Sequence, residues 1–157
     1  MVPELKGFAI TFRTSHQLFR RALEGLTDEQ ARETRDGANP ILWIAAHVVA
    51  VRASFARGFG ATLDVPWASQ FPRGGAVESV TTWPSLADVL AAWDTVHAAF
   101  MERLETLTSE QLAAGTKIPG LDDTLLGAVA LAMLHDSYHV GQIAAARRRY
   151  GLSRVVG

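Results

Sequence analysis

Residues 124–151 read TLLGAVALAMLHDSYHVGQIAAARRRYG. The apolar residues of this stretch recur with the period of an α-helix and do not alternate as they would in a strand. Thr124 is suited to cap the N-terminus of such a helix, and Gly151 is suited to the position just after its end. The sequence therefore predicts a long helix over residues 124–150.

Two histidines of this predicted helix, His135 and His139, are four residues apart. Side chains at that spacing project from one face of a helix, so both rings can reach a single metal ion. The residues along the same stripe are mostly small or aliphatic and leave space beside the rings: Ala128, Leu131, Ala132, Gln142 and Ala146. The pair is a candidate for part of a metal site.

A third histidine, His47, is the only polar side chain in the apolar run ILWIAAHVVAV at residues 41–51. A helix that is apolar on nearly every side is a buried one, and burying an imidazole without partners costs about 1–3 kcal/mol. Taken alone, His47 fits a buried histidine bonded to a backbone carbonyl or a serine. Taken with His135 and His139, it is better explained by a site in which three histidines bind one ion.

The segment His135-Asp-Ser-Tyr-His139 also resembles the His-Glu-x-x-His pattern of zinc proteases, with Asp136 in place of the glutamate. Those enzymes take their third ligand downstream and use the glutamate as a general base. Residues 140–157 contain no His, Asp or Glu. A third protein ligand must therefore come from upstream, which disfavours the protease interpretation.

The remaining histidines, His16 and His97, lie on the apolar stripes of their predicted helices and could bind the ion or line its cavity. Histidines that bind metal usually donate their other ring N–H to a carboxylate, a carbonyl or water. Asp94, Asp136 and Gln142 are candidates for that role. We prefer Gln142 because it shares a helix face with His139.

Three further segments carry a helical period, at residues 4–26, 40–59 and 85–107. The sequence LEGLTDEQ at residues 23–30 matches LETLTSEQ at residues 104–111, so the chain reads as two copies of one unit. In each copy, Thr and Gln at capping-box spacing predict an additional short helix. Two such units pack naturally as an all-α four-helix bundle, which we expect to be one domain over residues 1–157. Residues 61–84, with three prolines, form the long irregular connection.

The composition excludes several classes of function. A formal net charge of −1 argues against a protein built to bind nucleic acid or an anionic membrane surface. The apolar runs at residues 41–51 and 125–134 are shorter than the ~20 residues of a membrane span, and residues 1–6 do not resemble a signal peptide. The absence of cysteine excludes disulfides and sulfur-ligated zinc, and we expect a cytoplasmic protein.

At these residues the sequence resembles the DinB-like superfamily, and the resemblance covers most of the chain. The family's second helix is similar to GANPILWIAAH at residues 37–47, followed by Arg52 and a closing Gly60. Its last helix is similar to residues 135–151, where His-x-x-x-His-x-Gly-Gln is the most specific part.

The resemblance implies a bundle with up-down-down-up helices and a divalent metal ion, zinc or nickel in most members. The three histidines that bind it map onto His47, His135 and His139, and all three positions carry histidine here. Members are often homodimers. Characterised relatives include thiol transferases and isomerases that use mycothiol, bacillithiol or glutathione, although this sequence has no thiol-cofactor signature.

We therefore expect a metal-dependent enzyme with a small-molecule substrate. Three neutral imidazoles leave the ion with a +2 charge and at least one open position, as in catalytic sites, and both hydrolysis and thiol transfer are compatible with that. The alternative is a non-catalytic bundle in which the metal supports folding, sensing or dimer assembly. A fourth ligand from His16 or His97 would favour this alternative.

We also expect a homodimer. Trp67, Phe71 and Trp83 lie in or beside the long connection and belong to no helical stripe. If they are exposed, they form the kind of apolar patch that marks an interaction surface. If they instead fold back over the open metal position, they are buried without any partner.

Overall fold

The computed structural model describes residues 1–34, 37–72 and 82–156. The described residues form six α-helices: α1 (Pro3–Leu23), α2 (Asp28–Arg32), α3 (Ile41–Gly58), α4 (Leu86–Thr106), α5 (Ser109–Ala113) and α6 (Leu125–Ala146). A 3₁₀ turn, Arg147–Tyr150, continues α6, and Gly151 ends it with a left-handed φ of 73°. The first three long helices match the predicted segments to within three residues at each end, and α6 ends four residues before the predicted end, where the 3₁₀ turn takes over.

The two-copy organisation predicted from the sequence is present in the local structure. Thr27 and Gln30 form a complete capping box that starts α2, and Thr108 and Gln111 form the equivalent box that starts α5. Each box satisfies two backbone N–H groups that the first turn of a helix leaves without partners. Both predicted short helices are therefore confirmed, each directly after a long helix.

Contacts between α1, α4 and α6 show how three of the long helices run. Phe12 packs against Phe100 and Phe19 packs against Trp93, so α1 and α4 are antiparallel. The guanidinium of Arg147, just after the end of α6, donates to the Glu24 carbonyl at the end of α1, so these two helices are parallel.

The fourth long helix, α3, packs against α4 and α6. His47 of α3 lies beside His139 of α6, and Arg52 pairs with Asp136, so α3 and α6 are antiparallel. The bundle is thus up-down-down-up, as predicted. Because α3 and α4 run in the same direction, the chain must return along the bundle between them. This return accounts for the long irregular connection.

The helix α3 lies at the centre of the structure, and its first ten residues are all buried. By length and composition it is the one helix among the described residues that could cross a membrane, with a mean hydropathy of 1.3. However, 78% of it is buried against the rest of the bundle. Its apolar character is therefore that of a core helix, and the core position is what puts His47 inside the protein.

Candidate metal centre

The structure brings His47, His135 and His139 together. One ring nitrogen from each of them can be chosen so that the three lie within 4.8 Å of one another. The ring centroids are 5.1 Å apart for His47 and His135, 5.0 Å for His47 and His139, and 4.4 Å for His135 and His139. The grouping follows from the spacing of the α6 pair and from the antiparallel contact between α3 and α6.

Hydrogen bonds orient two of the three rings. His47 Nδ1 is 3.0 Å from the carbonyl oxygen of Phe71, and because a carbonyl only accepts, Nδ1 carries the proton and Nε2 carries the lone pair. His139 Nδ1 is 2.7 Å from Gln142 Oε1, and the amide nitrogen of Gln142 donates to the hydroxyl of Tyr138. The Nε2 of His139 is therefore also available as a ligand. Gln142 makes the contact that we predicted from its helix face.

The donor set fits a divalent transition-metal ion. His47 Nε2 and His135 Nε2 are 3.1 Å apart. Zn–N bonds of about 2.0–2.1 Å in a tetrahedral arrangement put two nitrogens roughly 3.3 Å apart, so this pair matches the separation that an ion requires. Neutral imidazole suits zinc and nickel and is a poor ligand for magnesium or calcium.

Burial lowers the pKa of His139, and a charge on His47 would lower it further, while the hydrogen bond to Gln142 opposes these effects. The net effect favours the neutral ring. Neutral imidazole is the form that binds metal, so the surroundings of His139 favour binding at neutral pH.

Aromatic side chains form one wall of the site. Trp43 stacks on His47, with ring centroids 5.1 Å apart and planes 9° apart. Phe71, only 1% exposed, contacts the rings of Trp43, Trp67 and Trp83. Phe71 and Trp83 of the long connection are thus buried against the bundle beside His47, on the Nδ1 side of its ring. A fold of these residues over the open metal position stays a prediction. They supply no exposed patch for dimerisation.

The interior also contains an ion pair between Arg52 of α3 and Asp136 of α6, both at most 1% exposed. The guanidinium lies 4.6–4.7 Å from the ring centres of Phe12, Trp93 and Phe100. Burial lowers the pKa of Arg52 to about 9, so it remains charged at neutral pH. The carboxylate of Asp136 is buried and paired with this cation. It is therefore not placed as the general base of a zinc protease would be.

Sequence reasoning did not predict this pair, although a signal for it was present. Asp136 is the only Asp, Glu, Lys or Arg of α6, and Arg52 is the first charged residue of α3. A charge deep within an apolar helix needs an opposite charge nearby, and each of these two supplies the partner for the other. The carboxylate Oδ1 of Asp136 also lies 3.9 Å from Nδ1 of His135.

Three other predicted site residues lie apart from the three-histidine group. The rings of His16 and His97 stack on each other with centroids 4.1 Å apart, at the contact between α1 and α4. Asp94 accepts from His16 Nε2 at 2.9 Å and from Arg20 at 2.6 Å. The suggestion that Asp94 faces the metal site is therefore wrong, because its carboxylate is held by partners on α1. His16 and His97 are not members of the group that could hold an ion.

A family model of the DinB superfamily matches residues 11–143. The chain belongs to the DinB superfamily. A crystal structure of a DinB-like protein from Bacillus cereus ATCC 10987 resembles this DinB protein with a TM-score of 0.73 and 22% identity, over 98% of this chain and 96% of that one.

A second solved structure has a similar fold. YfiT from Bacillus subtilis matches with a TM-score of 0.70 and 22% identity, over 98% of this chain and 91% of that one. It is described as "a probable metal-dependent hydrolase with an unusual four-helix bundle topology". At this level of identity the likeness establishes the bundle fold. A search of curated proteins finds no match.

Proposed function

We propose that this DinB-superfamily protein is a metal-dependent enzyme in which His47, His135 and His139 bind one divalent ion, Zn²⁺ or Ni²⁺. The observation that carries the proposal is the convergence of three imidazole nitrogens within 4.8 Å, contributed by two buried helices. The description of the structurally similar YfiT as a probable metal-dependent hydrolase supports it. The substrate is a small molecule that reaches the ion from solvent, since His135 and His139 are only partly buried.

The number of ligands favours catalysis over a purely structural role. Structural zinc sites are almost always closed by four protein ligands, whereas catalytic sites keep one position for water or substrate. Among the described residues, the group contains three ligands and neither His16 nor His97 joins it. This count supports an enzyme over the alternative of a non-catalytic metal-binding bundle.

The chain's own residues orient the ligands and exclude water from one side. The Phe71 carbonyl and the Gln142 amide fix the protonation of His47 and His139, so that the Nε2 atoms carry the lone pairs that would bind the ion. The ring of Trp43 stacks on His47 and keeps water from that face of the imidazole. An ion held there supplies Lewis acidity and lowers the pKa of a coordinated water or thiol toward neutrality.

Thiol transfer is the second candidate activity, and the position of Asp136 favours it. The three-histidine group contains no carboxylate, and Asp136 is committed to Arg52. Hydrolysis usually benefits from a general base beside the attacking water. A bound metal would lower the pKa of a low-molecular-weight thiol enough for its proton to pass to solvent at neutral pH, so a site without a carboxylate base suits transfer of a thiol to an electrophile.

The assembly and location belong to the same proposal. We propose a homodimer, supported by the large apolar side chains that Leu134 and Tyr138 of α6 expose to solvent at 55% and 61%. Closed twofold dimers are the commonest soluble oligomers. A cytoplasmic location is supported by the burial of α3, the one helix among the described residues that is long and apolar enough to span a membrane. We propose further that residues 1–157 act as one domain.

The test is metal analysis of the purified protein, followed by two activity screens of the loaded form. One screen uses chromogenic esters, and the other uses low-molecular-weight thiols with an electrophilic acceptor. An activity that is lost in His135→Ala and retained in His16→Ala supports an enzyme at this site. Stoichiometric metal with no activity in either screen, and unfolding whenever a chelator removes the metal, would support the non-catalytic bundle instead.

A further inference from the structure

A groove lies on the opposite side of α6 from His135 and His139. It is a groove of about 480 Å³ between α1 and α6, open to solvent and closed at one end by the C-terminal segment. This volume is within the range of about 300–1,000 Å³ that is typical of small-molecule sites. Its walls are mostly apolar or small: Leu18, Val140, Gly141, Ala144 and Val155. His139 faces α3, while the adjacent Val140 lines this groove.

A buried polar atom in the wall of the groove lacks a partner. Ser15 of α1 is 5% exposed, and its hydroxyl has no hydrogen-bond partner among the described residues. A buried hydroxyl left without a partner costs about 1–3 kcal/mol. Because Ser15 lines the groove, a ligand with a polar atom at that depth would satisfy it. Thr11, Thr14 and Ser137 also line the groove, and their hydroxyls already donate within their own helices.

Two arginines, Arg148 and Arg154, stand where the groove meets the C-terminal segment. Both are exposed, and neither has an ion-pair or hydrogen-bond partner for its side chain among the residues from 1 to 156 that the structure describes. The buried Arg147 holds the segment in place, because its guanidinium donates to the carbonyls of Ser153 and Glu24. The mouth of an apolar groove therefore carries two unneutralised positive charges.

We propose that this groove binds a small amphipathic carboxylate. Its apolar chain lies between α1 and α6 along Val140 and Ala144, and its carboxylate binds Arg148 and Arg154. Arginine suits this role because the guanidinium forms paired hydrogen bonds with a carboxylate. The hydroxyl of Ser15 provides a hydrogen-bonding group within the wall. The proposal does not depend on metal at the three-histidine site.

The test is calorimetric titration of the full chain with decanoate, at concentrations below micelle formation. Gly141→Leu adds a side chain at the wall of the groove, where a Cβ meets no atom within 4 Å. The matched control is Gly7→Leu, another exposed glycine within a helix that has the same open surroundings but lies outside the groove. We expect saturable binding in the wild type and Gly7→Leu, and a loss of at least about tenfold in Gly141→Leu.

The charge component is tested by the double variant Arg148→Gln/Arg154→Gln against Lys6→Gln/Arg57→Gln, which changes the net charge equally. We expect affinity to fall by at least about tenfold in the first and to stay within about twofold in the second. Binding in His139→Ala should match the wild type. Four results would overturn the proposal: no saturable binding by the wild type, equal affinity in the two glycine variants, loss of binding in His139→Ala only, or conversion of a dimer to a monomer by Gly141→Leu.

Discussion

Removing Asp136 from the buried ion pair should destabilise the protein strongly. In Asp136→Leu, the Arg52 guanidinium stays buried, loses its carboxylate partner and keeps, among the described residues, only the faces of aromatic rings around it. Breaking a buried ion pair on one side costs about 3–5 kcal/mol. Since domains of this kind are stable by about 5–15 kcal/mol, the variant should lose about a fifth of its stability or more.

The double variant Arg52→Met/Asp136→Leu separates two causes of destabilisation, the loss of side-chain packing and the burial of a charge without an ion-pair partner. Replacing both partners of a buried pair by apolar residues is often neutral or stabilising, so we expect the double variant to recover at least about 2 kcal/mol relative to Asp136→Leu. The assay is urea unfolding followed by circular dichroism, at neutral pH and with metal removed from every sample. Both variants must unfold with the wild-type m-value for the comparison to hold.

An exposed ion pair provides the control. Arg13 and Glu105 are 4.0 Å apart, and their side chains are 56% and 58% exposed. Glu105→Leu should change the free energy of unfolding by no more than about 1 kcal/mol. If Asp136→Leu costs no more than Glu105→Leu, or if the double variant is less stable than Asp136→Leu, the reasoning from an uncompensated charge is refuted.

Two further predictions concern Gln142 and His97. Gln142→Leu should weaken metal binding by about 10–100-fold, measured by chelator competition. The control is Gln17→Leu, at an exposed position, which should bind metal as tightly as the wild type. Equal metal affinity in the two variants would remove Gln142 from the site. Burial, and then the charges of His16 and Arg52, lower the pKa of His97 from 6.5 to about 4. As the pH falls below 6.5, His97 is protonated in the unfolded chain before it is protonated in the folded protein. The free energy of unfolding of metal-free protein should therefore decrease between pH 6.5 and pH 4. His97→Gln should flatten that dependence in urea titrations, and an unchanged slope would contradict it.

The helices could be predicted because their signals are local. Thr27 and Gln30 are three residues apart, and the capping box that they form depends on no distant part of the chain. The equivalent box at Thr108 and the stop at Gly151 are local in the same way. The i,i+4 spacing of His135 and His139 likewise places both rings on one face before any packing is known.

What could not be predicted depends on contacts between distant residues. Asp94 is one turn from His97, but its carboxylate is held by His16 and Arg20 of another helix. The Phe71 carbonyl that orients His47 comes from an irregular segment, and no periodic pattern reports where such a backbone atom will lie. The Asp94 contacts require the packing of α1 against α4, and the Phe71 contact requires the path of the chain after α3.

The metal content of single histidine variants tests most directly whether His47, His135 and His139 bind one ion. Wild-type protein and the alanine variants of His47, His135 and His139 are loaded with Zn²⁺ or Ni²⁺, desalted and analysed by mass spectrometry. His16→Ala and His97→Ala are the controls, since these two rings lie outside the group. We predict one ion per chain in the wild type and both controls, and less than about a tenth of that in each ligand variant. Full metal content in all three ligand variants would contradict the central claim, as would its loss only in the controls.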